Sequence, residues 1–115
     1  MKFIKLILLL MLPMFGLTQT LKVGSELTVV HFNAGWNSAA DVPWFDELTD
    51  AKLKRIDIAT DTKSATEYKI SVVPTILILV DGEEEKRYQA DISFSMQATK
   101  EEIQEAVDEI LMDQF

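Results

Sequence analysis

"ISVVPTILILVDGEEEKRYQA", residues 70–90, is the stretch that decides the fold. Thr75 to Val80 is almost continuously apolar, the composition of a strand covered on both faces. Asp81-Gly82 follows at once, and it is a strong two-residue hairpin signal because both turn positions need positive φ. Glu84 to Ala90 then returns as an antiparallel partner, charged enough to be an edge strand.

Upstream, "LTVVHFN" (Leu27 to Asn33) is β-branched and apolar with little polar alternation, again the pattern of a strand covered on both faces. "SAADVPWFDELTDAKL" (38–53) has helical spacing, with Phe45 and Leu48 three apart and Pro43 in the first turn or at a kink. "LKRIDIA" (53–59) is a short strand, and "DTKSATEYK" (61–69) is a short helix with Asp61 as its cap. Downstream, Thr99-Lys100-Glu101-Glu102 is a capping box. It opens a helix whose apolar stripe is Ile103, Ala106, Val107, Ile110 and Leu111. The order β-α-β-α-β-β-α is that of an α/β fold with a mixed central sheet flanked by helices.

The chain has 115 residues, the size of one domain. Its start, "MKFIKLILLLMLPMFGLTQT", places Lys2 and Lys5 before an apolar run from Leu6 to Leu17. This reads as a signal peptide over 1–18, cleaved near Thr18/Gln19, with the domain over 19–115. An uncleaved anchor is the alternative reading, although a membrane-spanning helix needs ~20 apolar residues. No Cys follows the run, which excludes a lipid anchor on cysteine. The expected location is therefore periplasmic or extracellular. Cleavage would leave 9 basic against 19 acidic residues, a net charge of −10. Such a field repels phosphate backbones and anionic lipid, so no nucleic acid and no membrane insertion are expected. The cysteine count of zero removes thiolate chemistry, cysteine-held zinc and iron–sulfur clusters together. No cofactor or metal is expected.

Three motifs carry a resemblance to the thioredoxin family. "FNAGW" (32–36) resembles the Phe-x-Ala-x-Trp that leads into that family's Cys-x-x-Cys. "PWFDEL" (43–48) is similar to the Pro-x-x-Asp-Glu-Leu/Ile of the kinked helix that follows it. "YKISVVPTILILVDGEE" (68–84) matches Tyr-x-Val/Ile-x-x-x-Pro-Thr, then strand, then turn glycine. The resemblance runs from Leu27 to Leu111 and implies a thioredoxin-like fold, with Pro74 in the place of the family's cis-proline. It also implies a shallow peptide-binding groove formed by the Trp and by the backbone before that proline.

The departures bear on function. Asn37 stands where the first Cys is expected, and the second would fall near Ala40, so Asn37, Ser38, Ala39 and Ala40 form a degenerate dithiol region. The spacing from Trp36 to Pro43 is shorter than the family's. His31 occupies the place of a buried acid that manages a cysteine proton, and Ala90 stands where a glycine is usual. His31 reads as a packed histidine with one satisfied nitrogen. Asn37-Ser38 reads as a helix cap, with no third group to complete a Ser38–His31 catalytic arrangement. The expected function is that of a redox-inactive, exported, non-enzymatic protein that binds a neutral or basic peptide or protein. Trp36, Asn37, Val73, Pro74 and Thr75 are the residues expected to line the groove. An enzyme using non-thiol chemistry at the former dithiol site and a structural subunit of an envelope complex are the alternatives.

Overall fold

The computed structural model describes residues 26–114. The signal peptide read over 1–18 lies outside the described residues. Strand β1 (Leu27–Asn33) is followed by two short 3-10 segments, Gly35–Ala40 and Pro43–Glu47. Then come β2 (Lys52–Asp57), helix α1 (Thr62–Glu67), β3 (Thr75–Val80), β4 (Glu83–Gln89) and helix α2 (Lys100–Gln114). The sheet order is β2-β1-β3-β4. β1 runs parallel to β2 and antiparallel to β3, and β4 closes the sheet antiparallel to β3. This is the mixed α/β sheet that the sequence order implies.

Burial follows the strands' composition. β1 and β3 are the central pair and are buried along nearly their whole length. β2 and β4 carry most of the strand charges and form the two edges, where lysines and glutamates discourage pairing with another chain. On one face, Val29, Ile76 and Ile78 pack against Phe45, Leu48 and the α2 stripe Ile103, Ala106, Val107 and Ile110. On the other face, Val30, Phe32, Leu77 and Leu79 pack under Ile56, Ile58, Tyr68 and Ile70.

Local signals act where the sequence places them. Asp81 and Gly82 both have positive φ, at 54° and 86°, and Asp81 Oδ1 also accepts from the Glu26 N–H at 2.8 Å. One extra residue, Glu85, bulges β4 between the pairs Ile78–Lys86 and Leu79–Glu84. Asp61 caps α1 by accepting from the Ser64 N–H at 3.0 Å. The Thr99 hydroxyl accepts from the Glu102 N–H at 3.1 Å, and the Glu102 carboxylate accepts from the Thr99 N–H at 3.4 Å, which closes the capping box.

One element differs from expectation. The helix read over 38–53 is replaced by the two 3-10 segments, with extended backbone at Asp41, Val42 and Leu48. The cause is Pro43. It lacks an N–H for a continuous helix and forces Val42 out of the helical region (φ −92°, ψ 99°). Val42, Phe45 and Leu48 are all buried, at a spacing of three. A 3-10 turn has three residues per turn, so this spacing keeps one face on the core without an α-helix.

Phe45 is fully buried in this segment, against His31 and beneath the Arg55 guanidinium. Phe45→Ala is expected to destabilise the domain by about 3–5 kcal/mol, the range for emptying a buried aromatic site. Urea unfolding followed by far-UV circular dichroism checks the value.

Candidate functional site

The carboxyl end of β1 carries the loop in question. Asn33 ends the strand, buried, with both ends of its side-chain amide engaged. Its Nδ2 donates to the Asn37 carbonyl at 3.2 Å and also to the Asp41 carboxylate. Its Oδ1 accepts from Asn37 Nδ2 at 3.1 Å. The segment from Asn37 to Asp41 is therefore held by side-chain amides. The cap reading for Asn37-Ser38 does not hold: Ala34 precedes the first 3-10 turn with no side-chain cap, and Asn37 lies inside that segment in a non-helical conformation.

Asn37 Nδ2 also reaches the Phe94 carbonyl at 3.5 Å, which joins this loop to the segment after β4. There Asp91 acts as a hub. Its carboxylate accepts from the Ser93 N–H at 2.9 Å, the Ser93 hydroxyl at 2.6 Å and Gln97 Nε2 at 2.9 Å. The bonds from Ser93 hold its carboxyl below the usual carboxylate range. The turn raises Phe94, at φ 62°, against Trp36 in an edge-to-face contact with ring centroids 5.6 Å apart. Trp36 is 68% exposed, Phe94 44% and the neighbouring Ile92 98%. The Ala90 N–H donates to the Pro74 carbonyl at 3.0 Å, which brings the proline turn to the same segment.

The other groove residues are placed differently. The Val73–Pro74 bond is cis, and Val73, Pro74 and Thr75 are all buried. The Thr75 hydroxyl donates to the Val72 carbonyl at 2.7 Å. Among the described residues, no hydrogen bond uses the Val73 backbone. The exposed apolar surface of the site is thus Trp36 with Phe94 and Ile92, and of the three only Trp36 stands out in the sequence. Asp91-x-Ser93 is the readable signal for the second loop, since a short acid followed by serine favours such turns.

Beneath the loop, His31, Asn33, Ser38, Asp41, Arg55 and Asp57 line a cavity of about 230 Å³. His31 is 2% exposed and tilted against Phe45, with ring centroids 5.3 Å apart. Arg55 Nη1 lies 3.5 Å from His31 Nδ1. A guanidinium only donates, so Nδ1 is the acceptor and the ring proton sits on Nε2. Nε2 is the one buried side-chain nitrogen or oxygen without a partner among the described residues. Burial, reinforced by the Arg55 charge, lowers the His31 pKa from 6.5 to about 4, against smaller opposing effects of Asp41 and Asp46. Ser38 borders the same cavity, but no hydrogen bond joins it to His31. A ring held neutral by burial and by an adjacent cation is a weak base, and no hydrogen bond orients it towards the hydroxyl.

The lowered value has a direct consequence for stability. In the unfolded chain His31 takes up its proton near pH 6.5, while the folded chain resists until about pH 4. The contribution of the neutral ring is complete above pH 6.5, is lost as pH falls from 6.5 to 4, and does not fall further below 4. The expected loss is ~3–4 kcal/mol, since each tenfold difference in proton affinity between the two states corresponds to about 1.4 kcal/mol. Urea midpoints measured across this window should fall more steeply for the native chain than for His31→Gln, and the ring's NMR shifts should stay flat between about pH 8 and pH 5.

Comparison with known proteins matches this geometry. No family model matches the chain, and no curated protein matches it. Solved structures do. A mutant thioredoxin from Halobacterium salinarum NRC-1 is 20% identical, with a TM-score of 0.58 over 73% of this chain and 74% of that one. The thioredoxin of Schistosoma mansoni is 24% identical, with a TM-score of 0.56 over 73% and 76%. The thioredoxin of Fasciola hepatica is 26% identical, with a TM-score of 0.52 over 73% and 80%. With no cysteine in its 115 residues, the chain cannot carry out the thiol–disulfide exchange of a dithiol site. The chain is a thioredoxin-like protein in fold, and the loop after its first strand is stapled by the amides of Asn33 and Asn37.

Proposed function

We propose that this is a redox-inactive, exported binding protein that captures an extended peptide or a segment of a partner protein beside Trp36. The observation that carries the reading is the Trp36–Phe94 pair, exposed and stacked edge to face above a loop fixed by hydrogen bonds. Large aromatic side chains left in water at a rigid position are frequent anchors for partners, because little freedom remains to be lost on binding. The Val73 backbone, unused by other hydrogen bonds among the described residues, offers main-chain groups to an extended segment in the manner of strand addition. Val73 then contributes through backbone, with Pro74 and Thr75 buried behind it to hold its place, while Trp36 and Phe94 contribute through side chains. Export rests on the basic-then-apolar start at Lys2 to Leu17.

Trp36→Ala is expected to weaken capture of extended peptides at least ~10-fold while moving the unfolding midpoint little, since the ring is mostly in water. Phe94→Ala should act in the same direction. Heptapeptides retained from a randomised library by the full chain, with affinities measured by fluorescence anisotropy, supply the test. Affinities unchanged in both variants would remove the aromatic pair from the reading.

A further inference from the structure

Beside the aromatic pair lies a second recess of about 220 Å³, between the two loops that Asn37 joins. Its walls are Pro43 and Trp44 on one side and Ser95 and Met96 on the other, and Asp41 stands at its edge. Trp44 and Met96 are half-buried, so apolar surface lines the recess without filling it. Asp41 is exposed. One of its carboxylate oxygens accepts from Asn33, and the other has no hydrogen bond among the described residues.

Among the residues that line this recess, Asp41 is the charged one. No Lys or Arg occurs from Glu26 to Ala51, or from Tyr88 to Thr99, so neither loop carries a cation of its own. Arg55 and Lys100 reach the first loop from elsewhere, and both are engaged. Arg55 directs its donors to the Val42 carbonyl at 3.1 Å, Asp46 at 3.4 Å and His31, with no bond to Asp41. Lys100 is paired with Glu47 at 3.0 Å. The free carboxylate edge of Asp41 therefore faces solvent beside an apolar slot.

We infer that this recess receives a lysine or arginine side chain of the bound segment, with its aliphatic stem on Trp44 and Met96 and its charge on Asp41. Long cationic side chains bury their methylenes along apolar surface while the head group stays near water and a counter-charge. A purely apolar side chain would fill the slot and strip water from Asp41 without replacing its hydrogen bonds, which costs free energy. The inference rests on the reading that Trp36 and Phe94 bind a peptide, and it adds the chemistry of one position in that peptide.

The test uses N-acetylated randomised heptapeptides and the full chain. The retained peptides should carry Lys or Arg at one fixed position. Replacing that residue with citrulline or norleucine should lower affinity about 10-fold. Asp41→Asn should erase the preference while Trp36→Ala removes binding of all the peptides. Met96→Lys, which puts a cation in the recess without touching the Asp41–Asn33 contact, should also erase it and keeps the test valid if Asp41→Asn disturbs the loop. Peptides retained through Trp36 but indifferent to citrulline and to both recess variants would overturn this inference and leave the aromatic platform standing. Retention of no peptide would overturn both.

Discussion

β1 is the strand on which the rest of the molecule depends. It lies between β2 and β3, so its side chains must serve two cores in strict alternation. Val30 and Phe32 enter one core, and Leu27 and Val29 enter the other. At the carboxyl end of the second face the buried side chains turn polar, at His31 and Asn33. A one-residue slip would place these polar groups in the tightly packed layer under Tyr68 and move Val30 and Phe32 to the opposite face, so register is strongly fixed. Because the register is fixed, Asn33 always arrives at the same place, and its amide then determines where Asn37 and Asp41 sit.

That dependence explains how the loop after β1 keeps its shape. A buried amide with donors and acceptors on one rigid end can satisfy two turns of loop at once, whereas leaving it unpaired would cost about 1–3 kcal/mol. His31 follows a different logic on the same face. Its neighbour across the parallel pair is Arg55, and burial, reinforced by that guanidinium, keeps the ring uncharged. Neither polar residue on this face needs a nearby thiol to account for its state.

The legible parts of the fold are those decided by local chemistry. The Asp81-Gly82 turn, the Asp61 cap and the Thr99–Glu102 box each depend on residues within a few positions of one another, and each forms where the sequence places it. The segment after β1 is harder, because Phe45 and Leu48 at a spacing of three suit an α-helix and a 3-10 turn alike. Adding Val42 to the series favours the shorter period, and Pro43 supplies the reason. The site is only half legible. Trp36 and Asn37 are visible through their neighbours in sequence. Asp41, Arg55 and Phe94 enter it through contacts that span 8 to 57 positions and have no periodic signature. Val73 and Thr75 are visible as a motif, but their burial comes only from the packed sheet end.

The two tryptophans of this short segment sit at different depths. Trp44 lies eight positions after Trp36 and is half-buried against the core below. Trp36 stands mostly in water, although burying a ring of that size is worth on the order of 2–3 kcal/mol. The loop that carries it is not loose: Asn33, Asn37 and the Asp91 hub fix both sides of the aromatic pair. Hydrogen bonds thus supply the order that burial would otherwise supply, and they leave the apolar face open. A fold that needed Trp36 only for stability would tuck it in, as it tucks in Trp44. A surface held rigid and apolar at once is already organised for a partner, and association with it loses little entropy.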